Sequence, residues 1–218
     1  MLAAPDYVSL ANAAAGFAAI VVAADGRLHD AASLILIGGV LDGLDGVVAH
    51  RYGGGPLGVQ IDSLSDAVTF GLAPGYLLFV AAGSAGPVRW LALAVPVATI
   101  VRLAGYNVRD VESNGFTGVP STLAGTLIGA VFLASVTTVA TGVDALAYVG
   151  LAVLVAYMML TEVRYPELPP RYALVMGGFM VAAAVVQGHY FGVFPGFIAG
   201  WLLLYLAFGP YFYDAIAE

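Results

Sequence analysis

The chain contains no cysteine and no lysine. The first absence excludes disulfides and thiolate metal sites. The second leaves seven basic residues, all arginine, against 14 acidic ones, for a net charge of −7. Nucleic-acid binding needs a basic stripe, and this balance argues against it. An acidic, lysine-free set of polar loops points to a high-salt cytoplasm, where carboxylate-rich surfaces stay soluble. The opening residues M-L-A-A-P-D-Y lack the basic n-region of a cleavable signal peptide, so the first apolar segment is expected to be retained. Soluble-type repeats and low-complexity tails are missing too. Charge of either sign is scarce: 10% of the 218 residues are charged and 61% are hydrophobic. With a mean hydropathy of +0.95, the composition is that of a polytopic membrane protein rather than a soluble domain with a large core.

Eight apolar stretches approach the length needed to cross about 30 Å of hydrocarbon. They cover 7–24, 31–51, 57–82, 87–108, 120–139, 144–161, 171–187 and 191–209. The expected fold is therefore all-α, a helical bundle of about eight transmembrane segments. Arg51, Arg109, Arg164 and Arg171 fall at the ends joining spans 2–3, 4–5 and 6–7, with Arg102 close by in span 4. Only Arg27 and Arg89 fall on the other side. The positive-inside rule then places the 2–3 loop and both termini in the cytoplasm of a plasma-membrane protein. Tyr205, Tyr211 and Tyr213 suit an interfacial aromatic belt. Gly125 with Gly129, and Gly192 with Gly196 and Gly200, have the spacing that lets helix backbones approach, within the chain or across a dimer face.

Against this background the stretch D-G-L-D-G-V-V-A-H-R-Y-G-G-G-P-L-G-V-Q-I-D-S-L-S-D (Asp42–Asp66) is exceptional. Asp42 and Asp45 are spaced i, i+3, and Asp62 and Asp66 i, i+4, so each pair shares one face of a helix. Gly53, Gly54, Gly55 and Pro56 break the chain between them. The simplest geometry is a helical hairpin with facing acidic sides. A carboxylate at the centre of a membrane helix costs about 2.5–3.5 kcal/mol, so four would cost about 10–14 kcal/mol unpaired at full depth. Arg51 offsets little of this. Clustered carboxylates are hard oxygen ligands, and Mg²⁺ or Mn²⁺ is the natural counter-charge. His29, His50 and His189 are scattered and form no zinc-like set.

The hairpin resembles the signature of the CDP-alcohol phosphotransferase family, D-x-x-D-G-x-x-A-R, a spacer, then G-x-x-x-D-x-x-x-D. The matching residues are Asp42, Asp45, Gly46, Ala49, Gly58, Asp62 and Asp66. His50 stands where the family has Arg, and the spacer is one residue short; Arg51 supplies a guanidinium next door. The segment I-D-S-L-S-D-A-V-T-F-G-L-A-P (Ile61–Pro74) is similar to that of the phosphatidylserine synthase type, as are R-L-A-G-Y-N (Arg102–Asn107), with Gly105 in place of a second Arg, and F-T-G-V-P (Phe116–Pro120). P-D-Y-V-S-L-A-N-A-A-A-G (Pro5–Gly16) resembles P-N-x-x-T-x-x-N-x-x-x-G, with Asp6 in place of Asn.

The resemblance implies a single membrane domain over 1–218, with a catalytic core over 5–125 and additional transmembrane helices over 126–218. It implies transfer of a phosphatidyl or archaetidyl group from a CDP-activated lipid to serine, with release of CMP, and a homodimer. A pyrophosphate cannot share a site with four bare carboxylates, and a pair of cations resolves the conflict. Asp42, Asp45 and Asp62 are assigned as principal metal ligands. Asp66 is assigned as general base on the acceptor hydroxyl, with a contact to the second metal also open to it. Ser9, Asn12, Asp45, Gly46, Ala49, Arg51 and Gly58 are expected on the CDP-lipid side; Ser9 serves equally well as a helix cap. Arg102, Asn107 and Arg109 are expected on the acceptor side, where Arg102 suits a carboxylate or phosphate. Arg109 also reads as a solvated anchor at the membrane edge. Two other readings compete: a glycerol-phosphate or inositol-phosphate acceptor, and an intramembrane cation transporter or channel.

Overall fold

A computed structural model describes residues 2–108, 116–135, 142–166, 170–185 and 193–217. The chain is built from helical rods. Helix α1 (Ala4–Ala24) and α2 (Leu28–Tyr52) form an antiparallel pair that turns at Gly26 (φ +79°). A third rod runs from Gly58 to Ala81 as α3 (Gly58–Asp66), a π-helical segment (Ala67–Leu72) and α4 (Ala73–Ala81). The fourth starts as a 3₁₀ segment (Gly83–Leu93), kinks at Gly86 (φ +60°) and continues as α5 (Ala94–Val108). Then follow α6 (Ser121–Ala134), α7 (Gly142–Leu160), α8 (Pro170–Val185) and α9 (Val193–Ala217).

Among the described residues, five helical rods are long and apolar enough to cross a membrane: Ala4–Ala24, Leu28–Tyr52, Gly58–Ala81, Gly83–Val108 and Val193–Tyr211. The stretches expected as the fifth, sixth and seventh spans are apolar helices as well, α6, α7 and α8, with 14, 19 and 16 described residues. At 1.5 Å per residue, the 14 residues of α6 reach about 21 Å, short of the hydrocarbon thickness. That helix ends where Ser135 Oγ folds back to donate to the Phe132 carbonyl at 2.6 Å. The short gap expected between the last two spans lies outside the described residues, as do Gly192, His189 and Arg109.

The bundle interior is aliphatic along most of its length. Ile35, Leu36, Leu77, Leu78, Leu127, Ile128 and Ile198 are fully buried. The outside is apolar as well, with Phe17, Val47, Tyr157 and Leu204 exposed, as expected where hydrocarbon is the solvent. The π segment sits where four helices meet. A Cβ on Gly16 of α1 would lie 2.7 Å from the Thr69 Cα, and one on Gly125 of α6 would lie 2.8 Å from the Phe70 Cα. Gly38 of α2 closes on the Thr69 methyl, and Gly71 packs on Thr99 of α5. Thr69 Oγ1 donates to the Asn12 carbonyl at 2.9 Å. Small residues here do what membrane packing asks of them: they let backbones touch. Gly129 likewise packs on the Ala32 carbonyl, whereas Gly196 and Gly200 face open space.

A two-residue antiparallel clip, Phe116–Thr117 (β1) on Arg164–Tyr165 (β2), ties the approach to α6 to the far end of α7. Gly118 N–H donates to the Val163 carbonyl at 2.8 Å and Val119 N–H to the Met158 carbonyl at 3.1 Å. Gly118 has φ +71°, and a Cβ there would sit 2.5 Å from the Met159 carbonyl oxygen. Only glycine fits both demands.

Gly16→Ala is expected to lower stability by about 1–3 kcal/mol, because the added methyl meets backbone that cannot retreat. Gly177, with open space around it, is the matched control. Thermal unfolding of both variants in detergent checks this; equal melting temperatures would contradict it.

Candidate metal centre and acceptor site

Four chain segments converge at one end of the bundle. The start of α1 packs beneath the Gly-rich break: Asp6 is buried, accepts the Ala3 N–H at 2.7 Å, and lies against Gly55 and Gly58. Helices α2 and α3 emerge on either side of that break. The end of α5 joins α3, with Asn107 Nδ2 donating to Ser63 Oγ at 3.0 Å. The start of α6 closes the fourth side.

Helical phase then decides which carboxylates meet. Asp42 of α2 and Asp62 and Asp66 of α3 each place one carboxylate oxygen within 4.8 Å of the other two. Asp66 also feels the charge of both Asp42 and Asp62. At an effective dielectric of about 20, two unit charges 4.8 Å apart repel by about 3–4 kcal/mol. Asp66 is only 6% exposed, and its Oδ1 is buried with no hydrogen-bond partner. A buried acceptor of that kind carries the desolvation cost of a missing donor or cation. Clustered hard oxygens, mutual repulsion and an orphaned buried oxygen all fit a divalent cation.

The other expected residues are distributed as follows. Asp45 is buried outside this group of three, and its Oδ2 accepts the Ser9 hydroxyl at 2.8 Å. Ser9 thus joins α1 to the motif, and it also reaches the Pro5 carbonyl at 3.3 Å. Asn12 is fully buried, with both side-chain polar atoms unpartnered and its Oδ1 turned toward Gly38. Gly38 lies one turn below Asp42. Gly46 borders open space, while Ala49 is half-buried. Arg51 is exposed, with its guanidinium 5.7 Å over the Tyr52 ring. Arg102 is half-buried, near enough to Asp66 to feel its charge, and its Nε has no partner. Asn107 stands at the rim on Ser63.

Sequence reasoning missed two residues. Ser121 Oγ donates to Asp66 Oδ2 at 3.1 Å, and Thr122 Oγ1 donates to Asp42 Oδ2 at 3.0 Å. They open α6 directly after Pro120, the N-cap. The available signal was a pair of hydroxyls following a proline at a helix start, which reads as ordinary capping. The positive end of the α6 dipole also faces the acids, an effect of about 0.3–2 kcal/mol.

Geometry and surroundings define a class: a helical membrane protein with a cluster of carboxylates able to hold a cation within the bundle, and a guanidinium near enough to feel the charge of one of them. The chain belongs to the CDP-alcohol phosphatidyltransferase family, whose pattern matches residues 2–208. That family is divalent-metal dependent. Archaetidylserine synthase of Methanothermobacter thermautotrophicus is 32% identical over 171 residues, covering 76% of this chain and 70% of that protein. The CDP-diacylglycerol–serine O-phosphatidyltransferase of Methanocaldococcus jannaschii is 29% identical over 189 residues, 86% of each chain. The Mycobacterium leprae protein of the same name is 40% identical over 105 residues, 47% of this chain but 35% of that one.

Asp42→Asn and Asp62→Asn should each weaken Mn²⁺ binding at least tenfold, because each removes a charged ligand from a small cluster. Titration of the purified protein by Mn²⁺ electron paramagnetic resonance checks this. Unchanged affinity in both variants would remove these two carboxylates from the metal set.

Proposed function

We propose that this protein transfers the phosphatidyl or archaetidyl group of a CDP-activated lipid to the hydroxyl of serine. The observation that carries this reading is the convergence of Asp42, Asp62 and Asp66 from two helices onto one partly buried point, in a chain of this family. Bound Mg²⁺ or Mn²⁺, in a two-metal arrangement, would supply charge neutralisation for the diphosphate and its leaving group.

The chain's own residues do the rest. Asp42, Asp45 and Asp62 would hold the cations, Asp45 through the oxygen that Ser9 leaves free. Asp66 takes the proton of the serine hydroxyl as that oxygen attacks the lipid-bearing phosphorus. The bond from that phosphorus to the oxygen of CMP breaks, and CMP leaves with the electron pair. Gly46 leaves room beside the site for the nucleotide, with Ala49 and Gly58 lining the same side and Arg51 at its edge. Ser9 and Asn12 support the nucleotide side from α1. Arg102 binds the serine carboxylate, a bidentate pairing that its position near the charge of Asp66 supports; Asn107 stands at the rim, and Arg109 is assigned to the acceptor side by the family resemblance alone. The catalytic core lies within 5–125, with the later helices packed around it.

The ether-lipid version of the substrate is favoured by the acidic, lysine-free composition and by the likeness to an archaetidylserine synthase. Arginine placement supports an active site open to the cytoplasm at the plasma membrane. A homodimer is the expected assembly. A cation conduit is disfavoured, because one turn below Asp66 the path is filled by Thr69 and Phe70, both fully buried and pressed by Gly16, Gly38 and Gly125.

Purified protein given CDP-archaeol or CDP-diacylglycerol, Mn²⁺ and a panel of alcohols should release CMP only with serine. Release only with glycerol phosphate or inositol phosphate would replace the acceptor; no release with any alcohol or metal would overturn the enzymatic reading. Chelation with EDTA should abolish turnover, and Mn²⁺ should restore it. Arg102→Gln should raise the KM for serine about 10–100-fold, the value of a charged hydrogen-bond pair, with a smaller effect on the KM for CDP-lipid.

A further inference from the structure

We propose that Ser121 and Thr122, the first two residues of α6, are positioning residues that set the orientation of the Asp66 and Asp42 carboxylates for cation binding and proton transfer. The inference rests on reading the acidic cluster as a divalent-cation site. It assigns a role to a helix that supplies no ligand itself.

A carboxylate has two oxygens and rotates freely about its last bond unless something holds one of them. Here each hydroxyl takes one: Ser121 holds Oδ2 of Asp66, and Thr122 holds Oδ2 of Asp42. The other oxygen of Asp66 is left buried and partnerless. Two adjacent residues of one helix thus clamp two carboxylates from two different helices. This fixes the spacing between α2 and α3 at the level where their acids meet. The hydroxyls are neutral donors, so they orient the carboxylates without competing for them as an arginine would.

The clamp is itself held from behind. Gly118 and Val119 are hydrogen-bonded to the end of α7, and Gly118 occupies a left-handed conformation against the Met159 carbonyl. The start of α6 therefore has one position, set by a segment more than 35 residues further along the chain. Buried Ser121, at 2% exposure, has no solvent to satisfy it elsewhere.

The two hydroxyls should act differently. Thr122 orients Asp42, an expected ligand, and its loss should appear in metal affinity. Ser121 orients Asp66, the expected base, and its loss should appear in turnover. Mn²⁺ binding to the full-length protein in detergent, read by electron paramagnetic resonance, tests the first arm without any substrate. Thr122→Val keeps the shape and removes the donor; it should raise the apparent Kd for Mn²⁺ about 10–100-fold. Thr122→Ser keeps the donor and should restore most of the affinity. For the second arm, Ser121→Ala should lower kcat with serine at saturating Mn²⁺ at least tenfold, with little change in KM, and Ser121→Thr should recover it.

Wild-type Mn²⁺ affinity in Thr122→Val, or equal weakening in Thr122→Ser, would overturn the assignment of Thr122. Wild-type kcat in Ser121→Ala would overturn that of Ser121. If the wild-type protein releases no CMP with any alcohol, the proposed function fails, and the inference then stands or falls on the Mn²⁺ comparison alone.

Discussion

Carboxylates withdrawn from water and pressed together repel one another, and most of this structure can be understood as the means of holding them there. Asp42, Asp62 and Asp66 lie within 4.8 Å of each other inside an apolar bundle. Mutual repulsion of about 3–4 kcal/mol per pair and the cost of burial both push toward separation. The helices cannot separate, because their backbones are locked one turn deeper. A divalent cation would convert the same arrangement from strained to favourable, since each oxygen would gain a positive partner. Stability and cation binding would then be linked: what binds the folded state alone also stabilises it.

The lock is the π-helical turn that follows Asp66. Extra residues per turn are found inside helices mainly at functional sites, and here the consequence is visible in the contacts. Widening the helix at Ala67–Leu72 brings Thr69 and Phe70 hard against Gly16, Gly38 and Gly125. Three helices from separate parts of the chain are thereby registered against the one that carries Asp62 and Asp66. The glycines matter as absences of side chain at points of contact. The polar Thr69 hydroxyl is satisfied by a backbone carbonyl of α1, so the close approach does not strand it.

Family membership and geometry contribute different things. The family match spans nearly the whole chain, and relatives named for serine transfer align over most of it. The geometry adds an arrangement around the acids: Ser9 on Asp45, Thr122 on Asp42, Ser121 on Asp66, Arg102 beside Asp66. Every acid that touches a hydroxyl does so through one oxygen, which leaves the other for the cation or the acceptor proton. Such outer partners tune the affinity of a metal site nearly as strongly as the ligands do.

The linear order of residues was sufficient for the membrane class, the all-α architecture, the hairpin and the acids that belong to it. These follow from hydropathy and from i, i+3 and i, i+4 spacing, which are properties of short windows. Even the placement of Asp42 opposite Asp62 and Asp66 follows from helical phase and a tight break at Gly53–Pro56. Tertiary structure decided the rest. Asp45 lies outside the group of three although it shares the face of Asp42, with one of its oxygens held by the Ser9 hydroxyl of α1. Arg51 is exposed because it lies in the last turn of α2, one residue before the helix ends. Of the three later apolar stretches, α6 ends at Ala134, where Ser135 turns extended and folds its hydroxyl back onto the helix, an ending that hydropathy does not mark. Ser121 and Thr122 lie about 55 and 80 residues from the acids they touch, a separation over which no local pattern in the chain carries information. Only the packing of α6 onto the π turn, permitted by the missing side chain at Gly125, brings those hydroxyls to the carboxylates.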